Sequence, residues 1–429
     1  MSPTELTKVR DALARALSVD AVNQVGRDTG QAQRLRTVTP HRLFLAIVTA
    51  LAGAHVASLA DLLRAFNYQN GVEVAYKAFY NRLARIGFAA FMRGILARLI
   101  DQLRLQTLTP EGERAVARFT DIVIHDGSSF ALKTQLRTTF PGRFTTLEPA
   151  AVEVHATYSG FADEVCAVQI APDKDAERPF LPDPATLTNR LLLADRGYPS
   201  VPYFEAVRAH GGSFIVRLTR SYDPWVRAAW VDGDRITGHR RVRLSRFLAQ
   251  HAGRRVDLDV EYERGPRVIG FRVVVIPGRD TAMTRLCTNL PRTPFSADVV
   301  ARLYRFRWQI ELCFKEGKSY ANLHKFDTAN PHIAEGLIWA SLCAAVLKRF
   351  LAHAAQRVGD GTAMSTQRVA MCAHHILDAL VTALLLGVGL LKALRRGLAY
   401  LLVNARRAHP DRDRRTGRLR AGLALVDLA

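Results

Sequence analysis

Residues 304–320, YRFRWQIELCFKEGKSY, are the segment that decides the fold and the chemistry of this sequence. Four of its polar residues are separated by offsets of three, four and seven positions, which places them on one helical face within an arc of roughly 60°. They are Tyr304, Arg307, Glu311 and Lys318. A carboxylate that can hold a metal ion thus lies beside cations that can hold a phosphodiester. The alternative, a solvated charged face with i,i+4 pairs, is weaker because aromatic residues interleave the charges.

The composition indicates a globular protein with an anionic partner. The chain has 429 residues, of which 48% are hydrophobic, and this is enough for a sizeable core and more than one domain. Sixty Lys and Arg residues stand against 39 Asp and Glu residues, so the net charge is +21 and the pI is near 10.4. Such a charge favours nucleic acid or another anionic surface as the partner. A generally basic proteome is the alternative.

The cysteines and the apolar segments place the protein in a reducing compartment, away from membranes. Five cysteines are scattered without a CxxC pair, which argues against a disulfide framework and a zinc finger and favours the cytosol. The N-terminus, MSPTELTKVR, has no signal-peptide core. The longest apolar run, between Asp378 and Lys392, has 13 residues, whereas a helix needs about 20 to cross a bilayer. That run is predicted to be a buried helix.

The first 115 residues are predicted to be helical. Thr39 before Pro40 is a helix start signal, and Ser58 with Asp61 begins a second helix after it. Residues 67–71, NYQNG, are turn-like, and a basic, aromatic third helix follows over residues 72–87. Two short helices around a tight turn are typical of a DNA-reading unit. Helix packing with a solvated basic face is an equally good interpretation.

Beyond residue 115 the pattern becomes α/β. FTDIVIHDGSSF predicts a strand that ends at Asp126-Gly127, and NRLLLADRGYPS a strand that ends at Asp195. A hairpin lies between them, and residues 222–280 predict a β-rich insertion with arginine-rich turns, including RVRLSRF as a strand. A long helix starts at Ser296 and carries the segment quoted above. From about residue 330 the chain is predicted to be helical, ending in a basic tail.

Three acids are therefore candidates for one site. Asp126 and Asp195 each close a predicted strand, and Glu311 lies on the helix that follows the insertion. Either aspartate alone would be interpreted as a turn residue. Together with the basic helix they predict a carboxylate site, and hard oxygens without His or Cys suit Mg²⁺ or Mn²⁺ better than zinc. Glu316 is a rival for Glu311, but it lies about 140° further around the helix.

Over roughly residues 115–345 the chain resembles the DDE transposases of bacterial insertion sequences. The spacing Tyr-(2)-Arg-(3)-Glu-(6)-Lys in residues 304–318 resembles the YREK signature of one branch of that family. IHDGSSF and LLADRGY resemble its two aspartate motifs. The resemblance implies an α/β fold with a ribonuclease H-like catalytic core. It also implies four regions: a helical DNA-binding domain over 1–115, a core over 116–221 and 281–330, a β-rich insertion over 222–280, and a helical C-terminal region with a basic tail over 331–429.

The resemblance also implies a mechanism. Asp126, Asp195 and Glu311 would be catalytic and would hold two Mg²⁺ or Mn²⁺ ions for strand cleavage and strand transfer. Tyr304, Arg307 and Lys318 would contact phosphates. The implied partners are double-stranded DNA, as element ends and as target, and a second copy in a synaptic homodimer. The implied location is the bacterial cytoplasm, at the nucleoid when bound to DNA, with no membrane association.

Two other functions are compatible with the same residues. One is a structure-selective Mg²⁺-dependent nuclease on the same core, and the other is a non-catalytic DNA-binding protein derived from a transposase. Trp225 or Trp230 is a candidate for stacking on a flipped base, although packing is the commoner role. Trp308 is predicted to pack the helix against the sheet. His125 and His155 are candidates for site contacts or for core histidines.

Overall fold

The protein is a mixed α/β structure with one large sheet. The computed structural model describes residues 1–53, 56–103, 115–237, 241–278, 283–323, 326–359 and 361–410. The predicted basic tail therefore lies almost entirely outside the described residues, as does the link over 104–114. The sheet comprises eleven strands in the described part of the chain, and helices before and after it pack against its strands.

The N-terminal region is helical, as the capping signals predict. Thr39 caps the third helix at Arg42 N, and Ser58 with Asp61 forms a capping box at the fourth. The fourth helix continues through residues 67–70, where a turn was predicted, and ends only at Gly71, whose positive φ gives a left-handed cap. Over residues 1–53 and 56–103 the helices are α1 (Pro3–Ala16), α2 (Val19–Asp28), α3 (Pro40–Ala52), α4 (Leu59–Asn70), α5 (Tyr76–Leu83) and α6 (Gly87–Gln102).

The strands of the sheet are β1 (Asp121–Ala131), β2 (Ala151–Ser159), β3 (Glu164–Pro172), β4 (Arg190–Ala194), β5 (Ser213–Arg217), β6 (Trp225–Val231), β7 (Asp234–Ile236), β8 (Val242–Arg243), β9 (Val256–Arg264), β10 (Arg267–Pro277) and β11 (Met283–Thr288). Their order is β3-β2-β1-β4-β5-β11-β10-β9-β6-β7, and β8 pairs with β6. The sheet is parallel over β1, β4 and β5 and antiparallel on both sides of these three strands. β1 is antiparallel to β2 but parallel to β4, which is parallel to β5.

The strands of residues 222–280 extend the central sheet. β11 pairs with both β5 and β10, so hydrogen bonding runs from β3 at one edge to β7 at the other without a break. RVRLSRF, predicted as a strand, is only briefly extended at β8. It then forms α8 (Leu244–Gln250), because Leu244, Phe247 and Leu248 bury one helical face.

The first aspartate does not end its strand. β1 continues through Asp126 and Gly127 to Ala131, so the prediction of a turn there is wrong. β2 pairs with β1 over this whole length, from Val123↔Ser159 to Ala131↔Ala151. The ladder hydrogen bonds with β2 keep the chain extended where sequence alone favours a turn. The second aspartate does follow its strand, because β4 ends at Ala194.

The helix that carries residues 304–320 is interrupted. α9 (Ala297–Tyr304) ends in a 3₁₀ turn over Arg305–Arg307, and α10 (Trp308–Tyr320) comes next. A 3₁₀ helix has three residues per turn, so α10 is rotated relative to its position in an unbroken α-helix. This turn buries Phe306, whereas Trp308 is 57% exposed and does not pack the helix against the sheet as predicted.

The remaining helices complete the described chain. They are α7 (Val201–Ala209), which precedes β5, and α11 (Pro331–Val358), α12 (Thr366–Cys372), α13 (His374–Leu386) and α14 (Leu390–Asn404). Among the described helices, α11 alone has the length and composition to cross a membrane, and α12 with α13, bent by 66°, would count as a second span if taken together. In α11 the apolar window is 83% buried within the protein, which is typical of a core helix.

Candidate active site

Strand register brings the two aspartates side by side. In the parallel pair β1 and β4, His125 lies opposite Ala194. Asp126 and Asp195 are the next residues of the chain on each side, so they emerge at the same end of the two central strands. Gly127 N donates a hydrogen bond to Asp126 Oδ1 at 3.0 Å. The first carboxylate is thereby oriented by its own strand.

The 3₁₀ turn and α10 bring the glutamate to the same place. Arg307 donates from Nη1 to Asp126 Oδ2 at 2.6 Å and from Nη2 to Glu311 Oε1. Tyr304 donates its hydroxyl to Asp195 Oδ1 at 3.1 Å. Arg307 and Tyr304 thus connect three carboxylates from separate parts of the chain. The three acids thus lie around Arg307 and Tyr304, with a guanidinium between Asp126 and Glu311.

The electrostatics show how strongly these groups interact. Burial raises the pKa of the Asp126 carboxyl to about 6, with further increases from Asp195 and Glu311 that Arg307 opposes. Burial tends to lower the pKa of Arg307, but Asp126 and the neighbouring groups raise it above its usual range. Burial also raises the pKa of the Tyr304 hydroxyl. The arrangement therefore keeps Arg307 charged and disfavours ionisation of Asp126.

The donor set suits a hard cation in chemistry, but its present arrangement is not a metal site. Among the described residues, no group of three His, Cys, Asp or Glu side chains is close enough together to hold a metal ion. Arg307 lies between Asp126 and Glu311 and neutralises them in the way a cation would. Burial is the main cause of the raised pKa of Asp126, and a positive charge beside this carboxylate opposes the increase.

The other members of the segment lie apart from this centre. Lys318 donates to the carbonyl oxygen of Ser129 at 2.9 Å, further along β1, and burial lowers the pKa of its amine. Glu316, the rival glutamate, pairs with Arg349 of α11 at 3.1 Å. It also accepts a hydrogen bond from Thr366, so its contacts are structural.

The rings of Trp225 and Trp230, the candidates for stacking on a base, are covered by arginines. Arg243 lies over the Trp225 ring at 3.9 Å and Arg292 over the Trp230 ring at 3.6 Å.

A cleft of about 750 Å³ opens beside the two aspartates. Asp126 and Asp195 line it, whereas Glu311 is not among its lining residues. Five arginines also line it: Arg143, Arg196, Arg217, Arg220 and Arg285. Arg217 approaches Asp195 at 3.8 Å. Sequence reasoning missed these arginines because they come from separate loops and strands, and only Arg196 lies within a recognised motif.

A second acidic group on the same cleft was also missed. Arg143 Nη2 contacts Glu153 Oε2 and Glu177 Oε1, each at 3.4 Å. A Cβ on Gly127 would lie 2.2 Å from Glu153 Oε1, and one on Gly197 would lie 1.7 Å from Glu177 Oε2. The glycines of the two aspartate motifs therefore admit these glutamates. The signal available in the sequence was the glycine after each aspartate, which was interpreted only as a turn.

The two histidines form the layer beneath the cleft. Burial lowers the pKa of His125 to about 3 and that of His155 to about 4, so both are neutral at pH 7. His125 Nδ1 shares a hydrogen bond with the Thr157 hydroxyl at 3.0 Å, and its ring is parallel to that of His155 at 6.4 Å. They are core histidines, the commoner of the two roles considered for them.

Ionisation of the buried carboxyl groups of Asp126 and Glu153 is predicted to reduce the stability of the metal-free protein as pH rises from about 4 to 7. Burial raises the pKa of Glu153 to about 7 and that of Asp126 to about 6, above their ordinary values of 4.5 and 3.8. At these two groups the folded state binds more protons than the unfolded state within this window, so their ionisation favours unfolding. The buried neutral His125 and His155 act in the opposite direction below about pH 6.5, so the test is the difference between two proteins. In EDTA, the melting temperature of Glu153→Gln relative to that of wild type should rise from pH 4 to pH 7. A difference that stays constant with pH would contradict the assignment.

Comparison with known proteins agrees with this geometry. A family described as "Transposase DDE domain" matches residues 117–347. The transposase for insertion sequence element IS421 of Escherichia coli is 27% identical over 224 residues, which are 45% of this chain and 59% of that protein. The transposase for insertion sequence element IS1151 of Clostridium perfringens is 19% identical over 360 residues, 75% of each chain. The match thus spans about three fifths of the length of the Escherichia coli relative.

One solved structure is similar to this chain over most of its length, with a low TM-score. It is the cryo-EM structure of the piggyBac transposase synaptic complex with hairpin DNA, at 11% identity and a TM-score of 0.43, covering 93% of this chain and 86% of that one. The family match includes Asp126, Asp195 and Glu311 and covers more than half of the 429 residues. The chain therefore belongs to the family of transposases with a DDE domain.

Proposed function

We propose that this protein is a DNA transposase that cleaves strands at the ends of an insertion sequence and transfers them into target DNA. The observation that carries the proposal is the junction of Asp126, Asp195 and Glu311 through Arg307 and Tyr304, beside an arginine-lined cleft. Family membership and the names of the relatives support it. We also assign the chain to the YREK branch, on the spacing of residues 304–318.

The catalytic core is inferred to be ribonuclease H-like. The order β3-β2-β1-β4-β5, with three antiparallel strands followed by two parallel ones, fits that inference. The proposed domains are those of the sequence analysis: helical DNA binding over 1–115, core over 116–221 and 281–330, insertion over 222–280, and helical C-terminus over 331–429. Tyr68 near the end of α4 and Tyr76 at the start of α5 are exposed, which is compatible with DNA contact in the first of these domains.

Asp126, Asp195 and Glu311 would hold the metal ions, proposed as two Mg²⁺ or Mn²⁺. When bound, such ions supply activation of a nucleophilic oxygen and stabilisation of the leaving oxygen. Arg307 neutralises Asp126 and Glu311, and a guanidinium that leaves Asp126 would be available to hold a phosphate. Arg217, Arg220 and Arg285 of the cleft present further charge to the DNA backbone. Lys318 would contact phosphate beyond β1.

The proposed partners are element ends and target DNA, bound by a synaptic homodimer. The net charge of +21 supports the DNA assignment, because phosphate neutralisation dominates such affinities. The proposed location is the bacterial cytoplasm, at the nucleoid when bound. Both the dimer and the location derive from the family resemblance.

The decisive experiment uses a plasmid that carries the DNA flanking the coding sequence. Purified protein with Mg²⁺ should nick at inverted repeats and join the released ends to a second plasmid. Strand cleavage without joined products would favour a structure-selective nuclease. DNA binding without cleavage in either Mg²⁺ or Mn²⁺ would favour a non-catalytic DNA-binding protein.

Metal binding should be visible without any reaction. Mg²⁺ at a concentration about 100-fold above its Kd should stabilise the folded protein by roughly 2.7 kcal/mol, since only the folded state assembles the site. The melting temperature should therefore rise on adding Mg²⁺ at pH 8, and the rise should vanish in Asp126→Asn and Asp195→Asn. An equal rise in these variants would place the binding elsewhere.

Arg307→Lys should reduce cleavage by roughly 100-fold, because a point charge cannot contact two carboxylates or one phosphate in the bidentate way of a guanidinium. The matched control is Arg305→Lys, an exposed arginine two residues earlier in the same 3₁₀ turn. Single-turnover cleavage of a nicking substrate measures both. Wild-type rates for Arg307→Lys would show that only its charge matters.

A further inference from the structure

Tyr198 carries a buried hydroxyl that nothing in the catalytic assignment uses. The residue follows the second aspartate by three positions and is 2% exposed. Its hydroxyl is buried and has no hydrogen-bond partner among the described residues, and Tyr198 is one of the residues that line the cleft beside Asp126 and Asp195. The ring is held in place by edge contact with His125, at 5.0 Å and 81°.

The hydroxyl meets a glutamate at the first aspartate motif. The point where a Cβ of residue 127 would lie is 3.2 Å from the Tyr198 hydroxyl and 2.2 Å from Glu153 Oε1. The two oxygens therefore both lie near the position that a side chain of residue 127 would occupy, and Gly127 allows Glu153 to approach this closely. The other oxygen of Glu153, Oε2, accepts from Arg143 at 3.4 Å, so the carboxylate is held with Oε1 toward Gly127. His155 beneath is neutral and does not compensate the charge.

The corner formed by the Tyr198 hydroxyl and Glu153 Oε1 beside Gly127 favours one kind of ligand by its hydrogen-bonding chemistry. It offers one donor, the phenol, and, where Glu153 is ionised, one strong acceptor, its carboxylate oxygen. A phosphate oxygen has no proton to give to Glu153, and a metal ion cannot accept from Tyr198. A hydroxyl group can do both at once, because its oxygen accepts while its proton is donated. The corner lies next to Asp126, where the attacking oxygen of the proposed reaction must arrive.

We propose that Tyr198 and Glu153 form a binding subsite for the attacking hydroxyl group. Tyr198 donates a hydrogen bond to its oxygen, Glu153 accepts one from it, and the glycine at position 127 allows Glu153 to reach this position. This inference rests on the proposed function, and it adds two residues to that site. The hydroxyl has two sources, water in strand cleavage and the 3′-hydroxyl of a freed DNA end in strand transfer.

The test compares Tyr198→Phe with Tyr262→Phe. Tyr262 also has a buried hydroxyl without a partner among the described residues, but it does not line the cleft. The first arm uses DNA duplexes of the flanking inverted repeat that have been cut in advance at the element end. Each duplex ends in either a 3′-hydroxyl or a 3′-deoxy sugar. Their Kd values are measured in EDTA, where no reaction occurs. Wild type and Tyr262→Phe should bind the hydroxyl end roughly 3- to 10-fold more tightly, and Tyr198→Phe should bind both ends equally.

The second arm measures hydrolytic nicking of uncut ends under single-turnover conditions with Mg²⁺. Tyr198→Phe should nick roughly 3- to 10-fold more slowly than wild type, while Tyr262→Phe should match wild type. Slower nicking by Tyr198→Phe without a change in end binding assigns the subsite to water. Loss of the preference for a 3′-hydroxyl end without slower nicking assigns it to the DNA 3′-hydroxyl. Melting temperatures of both variants should equal or exceed that of wild type, because each removes an unpaired buried donor.

Failure of the subsite is distinguishable from failure of the proposed function. If wild type cleaves and Tyr198→Phe equals it in both arms, the subsite is refuted while the transposase assignment stands. If wild type neither cleaves nor joins ends, the proposed function itself fails. Glu153→Met, which removes the acceptor at similar side-chain length, is the second variant should Tyr198→Phe not fold. Retention of 3′-hydroxyl preference in Glu153→Met would also overturn the subsite.

Discussion

Asp126→Asn, Asp195→Asn and Glu311→Gln should each reduce strand cleavage by on the order of 10³-fold or more, while DNA binding changes little. Each amide keeps the size of the side chain but loses the charge that would hold a metal ion beside the scissile phosphate. The substitutions leave the cleft arginines in place, so the electrostatic part of DNA affinity persists. Single-turnover cleavage and gel-shift binding on the same end duplex measure the two properties.

The same helix provides the control for Glu311. Glu316 lies on α10 five residues later and pairs with Arg349, at 3.1 Å, away from the aspartates. Glu316→Gln should lower the melting temperature yet leave cleavage per folded molecule close to wild type. Glu311→Gln should leave the melting temperature close to that of wild type and strongly reduce cleavage per folded molecule. If the two variants exchanged these behaviours, Glu316 would be the third catalytic carboxylate, and the assignment of Glu311 would be wrong.

Arg349→Met should destabilise the protein by about 3–5 kcal/mol, the largest stability effect we expect from one side chain. Its side chain is 6% exposed and joins α11 to the loop after β2 and to α10. Arg349 donates to the backbone oxygen of Asp163 at 2.6 Å and pairs with the carboxylate at 3.3 Å. Removing one partner from a buried ionic group leaves the opposite charges uncompensated in a poorly hydrated site.

Urea unfolding measures this effect, and α11 supplies a matched arginine. Arg357 lies two turns later on the same helix and pairs with Glu5 at the surface, with its side chain 42% exposed. Arg357→Met should cost no more than about 1 kcal/mol. Adding Glu316→Gln to Arg349→Met should restore part of the loss, because one uncompensated charge is then gone. Equal losses for Arg349→Met and Arg357→Met would mean that the buried cluster contributes little.

Local sequence signals predicted much of the secondary structure. The caps at Thr39 and Ser58 begin the helices they predict, and β4 stops before Asp195 as expected. These features depend on neighbours in sequence, where spacing and capping chemistry act directly. The predictions failed where a distant partner decides the conformation. Antiparallel pairing with β2 carries β1 through Asp126-Gly127, and the burial of Phe306 accompanies a break in the expected long helix.

The sequence by itself determined which acids and cations were candidates, because the spacing of residues 304–318 and the two aspartate motifs are readable in one dimension. Only the tertiary structure decided which of these side chains meet. It separates Glu311 from Glu316, holds Arg307 between two carboxylates, and places Glu153 and Tyr198 at Gly127. The physical reason is that contacts between residues far apart in the chain depend on strand register and helix rotation. Both are set by packing over the whole sheet rather than by any local segment.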